Sequence, residues 1–154
     1  MTVEVGQPAP DFAMPTGGGG EVSLAGLKGK KVVLFFYPKD DTPGCTKEAC
    51  TFNDNLPDFS GVDAVVIGVS KDSVASHDKF AKKYGLNIVL ASDEKTDVAE
   101  RYGVWVEKSM YGKKYMGMER SSFLIGPDGK VAKVWRKVKP ETHPAEVLAA
   151  VKAM

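Results

Sequence analysis

The chain has 154 residues, which suits a single domain over residues 1–154 whose core requires no metal or disulfide staple. Lys plus Arg number 21 and Asp plus Glu 20, a formal charge of +1, which excludes a strongly basic nucleic-acid binder and an acidic tail. No apolar run approaches the roughly 18 residues of a membrane span, and the start Met1-Thr2-Val3-Glu4-Val5 does not read as a signal peptide, so the expectation is a cytoplasmic protein that binds neither membrane nor nucleic acid.

Residues 1–20 read as loosely structured. Pro8, Pro10 and Pro15 interrupt any long element, and Gly17 to Gly20 make a flexible turn. A short hairpin is expected about those glycines, with Glu21-Val22-Ser23-Leu24 as its return strand. Lys31 to Tyr37 is nearly continuously apolar and rich in β-branched and aromatic residues. That pattern predicts a central strand covered on both faces, ended by Pro38. Residues 43–56 read as a helix ended by Pro57, and Asp63 to Ser70 as a second buried strand, together a right-handed βαβ unit. Apolar or aromatic side chains at Val74, His77, Phe80, Ala81 and Tyr84 predict a helix over 73–84, with Gly85 just past its end.

Asn87 to Ala91 reads as a short strand and Asp97 to Tyr102 as a short helix. Met110, Tyr111, Tyr115, Met116 and Met118 cluster in a stretch read as a packed loop, with Lys108 to Lys114 solvated. Ser121 to Ile125 is a strand that turns at Pro127-Asp128-Gly129 and returns as Lys130 to Trp135. Pro144 to Met154 is a terminal helix. The order βαβαβαββα behind an N-terminal hairpin implies an α/β fold: a mixed central sheet, parallel strands first and an antiparallel hairpin late, flanked by helices.

The chemistry is concentrated in Pro38-Lys39-Asp40-Asp41-Thr42-Pro43-Gly44-Cys45-Thr46-Lys47-Glu48-Ala49-Cys50, just past the carboxyl end of the first central strand, where open α/β sheets bind ligands. Thr42 suits an N-cap and Pro43 the first helical position, which places Cys45 at the third. An anion there is favoured by free backbone N–H groups and the helix dipole, so an exposed first turn would present a thiolate. Gly44 leaves room beside the sulfur. Cys50 reads by spacing alone either as a core residue on the inner face of the helix or as a second reactive thiol. A zinc site is not supported. His77 reads as packing and His143 as solvated or capping, and neither has a Cys or His at ligand spacing. No phosphate-binding glycine motif is present and nothing implies a cofactor. Asp40 and Asp41 read as a turn cap or a solvated loop.

The chain resembles the peroxiredoxins, and within them the bacterioferritin comigratory protein or peroxiredoxin Q branch. Pro38, Thr42 and Cys45 match the family's Pro-x-x-x-Thr-x-x-Cys. Gly44 through Cys50 match the branch's Gly-Cys-Thr-x-Glu-x-Cys, and Arg120 stands before a late strand, as the family requires. The likeness extends from Val5-Gly6-Gln7-Pro8-Ala9-Pro10-Asp11-Phe12 to Gly126-Pro127-Asp128-Gly129. It implies a thioredoxin-like fold and a thiol peroxidase. Cys45 would attack the peroxide and become a sulfenic acid. Arg120 would hold the thiolate and the peroxide, Thr42 would bind the peroxide oxygens, and Pro38 would shield the pocket. Glu48 would orient Arg120. Cys50 would close an intramolecular disulfide, which thioredoxin or a similar dithiol protein would reduce. A monomer would suffice.

Alternatives stay open at this point. Arg120 can be read as a surface ion-pair partner of Glu119 or Glu107. The Met/Tyr cluster can be read as an apolar rim that binds alkyl hydroperoxides or a partner. A thioredoxin-fold disulfide oxidoreductase would carry Cys-x-x-Cys where this chain has Cys-x₄-Cys, and a non-catalytic redox-sensing module could keep the same fold.

Overall fold

A computed structural model describes residues 3–154; Met1 and Thr2, part of the start read above for a leader, lie outside the described residues. In chain order, β1 (Ala13–Pro15) and β2 (Glu21–Ser23) precede β3 (Lys31–Phe36), α1 (Pro43–Asp54), α2 (Leu56–Ser60) and β4 (Ala64–Ser70). Then come α3 (Val74–Tyr84), β5 (Val89–Ser92), α4 (Val98–Arg101), β6 (Trp105–Met110), β7 (Lys113–Met118), β8 (Ser121–Ile125), β9 (Val131–Trp135) and α5 (His143–Lys152). The central sheet has the order β5-β4-β3-β8-β9. β3 runs parallel to β4, and β4 to β5, while β8 is antiparallel to both β3 and β9. This is the mixed sheet expected, in a thioredoxin-like arrangement with an N-terminal hairpin of β1 and β2.

The near-continuous apolar run of β3 is explained by the two cores it separates. Side chains alternate across a strand. Val32, Leu34 and Phe36 enter one core with Phe12, Met14, Ile67, Val69, Tyr102 and Phe123. Val33, Phe35 and Tyr37 enter the other with Cys45, Phe52, Phe59, Phe80 and Val147. The second core is roofed by α1, α2, α3 and α5, so Cys45 stands above the middle of the sheet.

Three expectations are corrected. Pro57 does not end the first helix: α1 stops at Asp54, and Pro57 lies in the first turn of α2, where a missing N–H breaks no helical bond. The stretch around Met110 is not a packed loop but the hairpin of β6 and β7, with Trp105 opposite Met118 and Met110 opposite Lys113. Its turn residues Tyr111 and Gly112 have φ of 52° and 78°, the doubly positive pair whose twist suits a two-residue hairpin. The N-terminal segment is also less loose than its prolines suggested. Gly6 and Ala9 donate to the carbonyls of Val131 and Gly129, and Val131 returns a bond to Gln7.

Candidate active site

The first turn of α1 projects from the carboxyl end of β3. Thr42 has the extended backbone of an N-cap, with φ −103° and ψ 155°, and Pro43 occupies the first turn. The hydroxyl, however, does not cap the helix. It donates to the Lys39 carbonyl at 2.8 Å, closing the loop on itself. α1 buries Cys45, Glu48, Ala49 and Phe52, the i, i+3, i+4, i+7 stripe of a helix against a sheet. Cys45 is therefore 1% exposed, not the open first-turn thiol that its sequence context suggested. Cys50 lies off that stripe and is half-buried.

Arg120 ends the segment before β8, and its carbonyl accepts from the Val138 N–H at 3.0 Å. Its side chain is only 17% exposed and reaches across to α1. Nη2 donates to Cys45 Sγ at 3.3 Å, and Nη1 to Glu48 Oε1 at 2.9 Å. A surface pairing is thereby excluded. Glu119 pairs instead with Arg136, and Glu107 with Lys114 at 3.6 Å. Gly44 permits the approach: a Cβ there would stand 3.2 Å from Arg120 Nη2 and 3.4 Å from Pro140 Cγ.

Electrostatics separate the two thiols. Burial, reinforced by the Asp54 charge and opposed by Lys47, pushes the Cys50 thiol up, so it favours its protonated form. Cys45 has a guanidinium in hydrogen-bonding contact, which Cys50 lacks. Burial also lifts the Glu48 carboxyl to about 7, against the opposing pull of Arg120. Its Oε2 is buried without a partner. Desolvation lowers the Arg120 guanidinium, but the Glu48 and Cys45 charges outweigh it and the net shift is upward. Lys108 of β6 is pulled down by burial and by Arg120, and its ammonium reaches back to donate to the Met118 carbonyl at the base of the β6–β7 hairpin.

Cys45, Glu48, Arg120 and the Thr42 turn thus converge. Pro38 lies on the exposed side of the loop after β3 and takes no part in the hydrogen bonds at the sulfur. Two readings of ionisable residues change. His143 is fully buried rather than solvated, its Nε2 2.7 Å from Ser122 Oγ, and burial followed by Arg120 lowers it to about 4, so it is neutral. Asp40 is buried beside Tyr37, Ser76 and His77 rather than solvated. His77 is more than packing, since it contacts both Asp40 and the Ala91 carbonyl. Only Asp41 is exposed, paired with Lys83. The Asp40–His77 contact spans 37 positions, and no local pattern could announce it.

A buried cysteine at a helix start, faced by an arginine on a thioredoxin-like sheet, defines the class as a thiol peroxidase. Residues 5–134 match the AhpC/TSA family. The chain is 50% identical to the peroxiredoxin Bcp of Bacillus subtilis over 154 residues, 100% of this chain and 98% of the relative. Among solved structures, the Xanthomonas campestris bacterioferritin comigratory protein superposes with a TM-score of 0.91 at 43% identity, covering 97% of this chain and 98% of that one. A Cys-to-Ser mutant of Xylella fastidiosa PrxQ gives 0.94 at 38% identity, covering 99% and 98%. The chain belongs to the AhpC/TSA family, in its Bcp or peroxiredoxin Q group, and shares that group's thiol peroxidase chemistry with a cysteine pair.

Proposed function

We propose that Cys45 is the peroxidatic cysteine and Cys50 the resolving one. The observation that carries this is the 3.3 Å contact from Arg120 Nη2 to Cys45 Sγ. The Cys45 thiolate attacks the terminal oxygen of a hydroperoxide. An S–O bond forms and the O–O bond breaks. The released alkoxide or hydroxide takes a proton from solvent, and the sulfur, oxidised by two electrons, is left as a sulfenic acid. Arg120 donates to the thiolate and to the charge that develops on the leaving oxygen. Thr42, its own proton engaged with Lys39, turns lone pairs towards the peroxide O–H. Glu48 fixes the guanidinium through Nη1. Pro38 has the supporting role of screening the loop from water.

The Cys50 thiol then attacks the sulfenic sulfur, an S–S bond forms and water leaves. In an intact helix two residues five apart have Cα atoms about 8.6 Å from each other, with directions about 140° apart around the axis, whereas a disulfide wants Cα atoms within about 7 Å. Both cysteines lie within α1, so the helix unwinds from about Pro43 to Cys50 to form the bond. That opening exposes the disulfide to thioredoxin or a similar dithiol protein, which supplies two electrons and returns both thiols. The need for such a donor supports a cytoplasmic setting, and both cysteines on one chain support a monomer.

The Xanthomonas campestris relative is described by its alkyl peroxide reduction activity. Organic hydroperoxides besides hydrogen peroxide fit this site as well, because exposed Met110, Tyr111, Tyr115 and Met116 extend from the hairpin whose base adjoins Arg120. Mass spectrometry after one equivalent of peroxide tests the assignment. The wild type gains a Cys45–Cys50 disulfide, while C45S remains unoxidised. Oxidation of Cys50 in C45S at the wild-type rate would overturn it.

A further inference from the structure

The loop between β3 and α1 is held on α3 by contacts that the reaction scheme does not use. The Asp40 carboxylate accepts from the Tyr37 hydroxyl at 2.5 Å and from Ser76 Oγ at 2.8 Å, and it lies 2.7 Å from His77 Nδ1. His77 Nε2 faces the Ala91 carbonyl at 3.0 Å. The Asp40 N–H donates to Asp72 Oδ2 at 2.8 Å. One residue on, Asp41 takes a left-handed backbone with φ 58°, which Asp tolerates better than most residues. It accepts from Lys83 Nζ at 2.8 Å and from the Tyr84 hydroxyl at 2.6 Å.

We infer that the Asp40–His77 pair is the fixed end of the opening helix, a positioning clamp that holds the loop from Pro38 to Asp41 on α3 while α1 unwinds and so guides Thr42 and Cys45 back to Arg120. The inference rests on the opening proposed above. It is carried by where the partners lie. Tyr37, Ser76, His77 and Ala91 are all outside α1, so forming a Cys45–Cys50 bond displaces none of them. The Arg120 contacts to Cys45 and Glu48, by contrast, are made to the segment that must move. The clamp residues touch no substrate and act through the loop.

The chain has two histidines, which makes the clamp readable by nitrogen-15 NMR of labelled histidine. The disulfide is made with diamide, without peroxide, so this arm answers independently of whether Cys45 reduces peroxide. Expected are His77 ring signals that are the same in the reduced and disulfide forms. His143, packed edge-on against Phe52 of α1, shifts between them. A His77 ring that shifts or broadens together with His143 overturns the inference.

A second arm measures first-turnover peroxide consumption by the reduced protein. His77→Ala should slow it by about 10- to 100-fold, the loss that follows when a reacting group is misplaced by up to about 1 Å. His77→Asn, whose amide reaches Asp40 from the place of Nδ1, should recover most of that loss. Equal rates in all three proteins overturn a positioning role, and the wild-type NMR comparison stands whether or not the alanine variant folds.

Discussion

On the β8 side of Cys45, Glu48 and Arg120 meet through one carboxylate oxygen at 2.9 Å while the other oxygen is buried alone. On the α3 side, Asp40 has Tyr37, Ser76 and His77 within 2.8 Å, and both His77 nitrogens are engaged. Both are buried acid–base pairs, yet one is incompletely satisfied and the other complete. A buried group without its full set of hydrogen bonds costs free energy that exposure to water returns. In the proposed opening of α1, the Glu48 side is the one to be given up and the Asp40 side the one to persist.

The largest effect should come from removing the arginine. R120A deletes the guanidinium at the sulfur and leaves Glu48 without its Arg120 partner. Loss of a preorganised donor to developing charge predicts a fall of about 10²–10³ in the second-order rate constant for peroxide, measured by stopped-flow fluorescence. An unchanged constant would return Arg120 to a purely structural role.

The next test sharpens the asymmetry through pH. Glu48 lies at about 7 in the folded protein against an ordinary value of 4.5, so the native state binds this proton more tightly than the unfolded chain. Its contribution is complete below about pH 4.5 and is lost as pH rises through about 7. Replacing it by E48Q removes that dependence. Between pH 4.5 and 7.5 the wild type should therefore lose about 3 kcal/mol of unfolding free energy relative to E48Q, read by denaturant titration at each pH. A constant difference between the two proteins would mean that burial does not hold the proton on Glu48.

A smaller change in stability is expected at Thr42, because its hydroxyl closes the Lys39 turn rather than capping α1. T42V should cost about 0.5–1.5 kcal/mol, the net worth of one hydrogen bond, together with a clear loss of peroxide reactivity, and T42S should keep most of both. Full activity in T42V would confine Thr42 to the turn and remove it from the substrate site.

Much of this was legible in the sequence because it is local. The period-two run of β3, the helical spacing from Val74 to Tyr84 and the order Thr42-Pro43-Gly44-Cys45 each appear at their expected places. The burial of Glu48 also had a local signal, since Cys45, Ala49 and Phe52 recur at i, i+4 and i+7 and place position 48 on the same face. Arg120 is different. It is 75 positions from Cys45, and only the family resemblance singled it out. The Asp40–His77 pair has neither a local pattern nor a motif, so both residues read as ordinary loop and packing positions. The β6–β7 hairpin escaped because Tyr111 stands where a two-residue turn usually signals itself with Asn or Asp. Its strands also expose mixed Lys, Tyr and Met rather than alternating cleanly.

Amide hydrogen exchange on the reduced protein and on the protein carrying a Cys45–Cys50 disulfide tests most directly whether α1 must open. Protection across residues 46–54 is expected in the reduced form, since the first helical bond runs from the Thr46 N–H to the Thr42 carbonyl. In the disulfide form it should be lost at least from residue 46 to residue 50, with exchange at the end of β3 unchanged. Equal protection of α1 in both forms, with the disulfide confirmed by mass spectrometry, would contradict it.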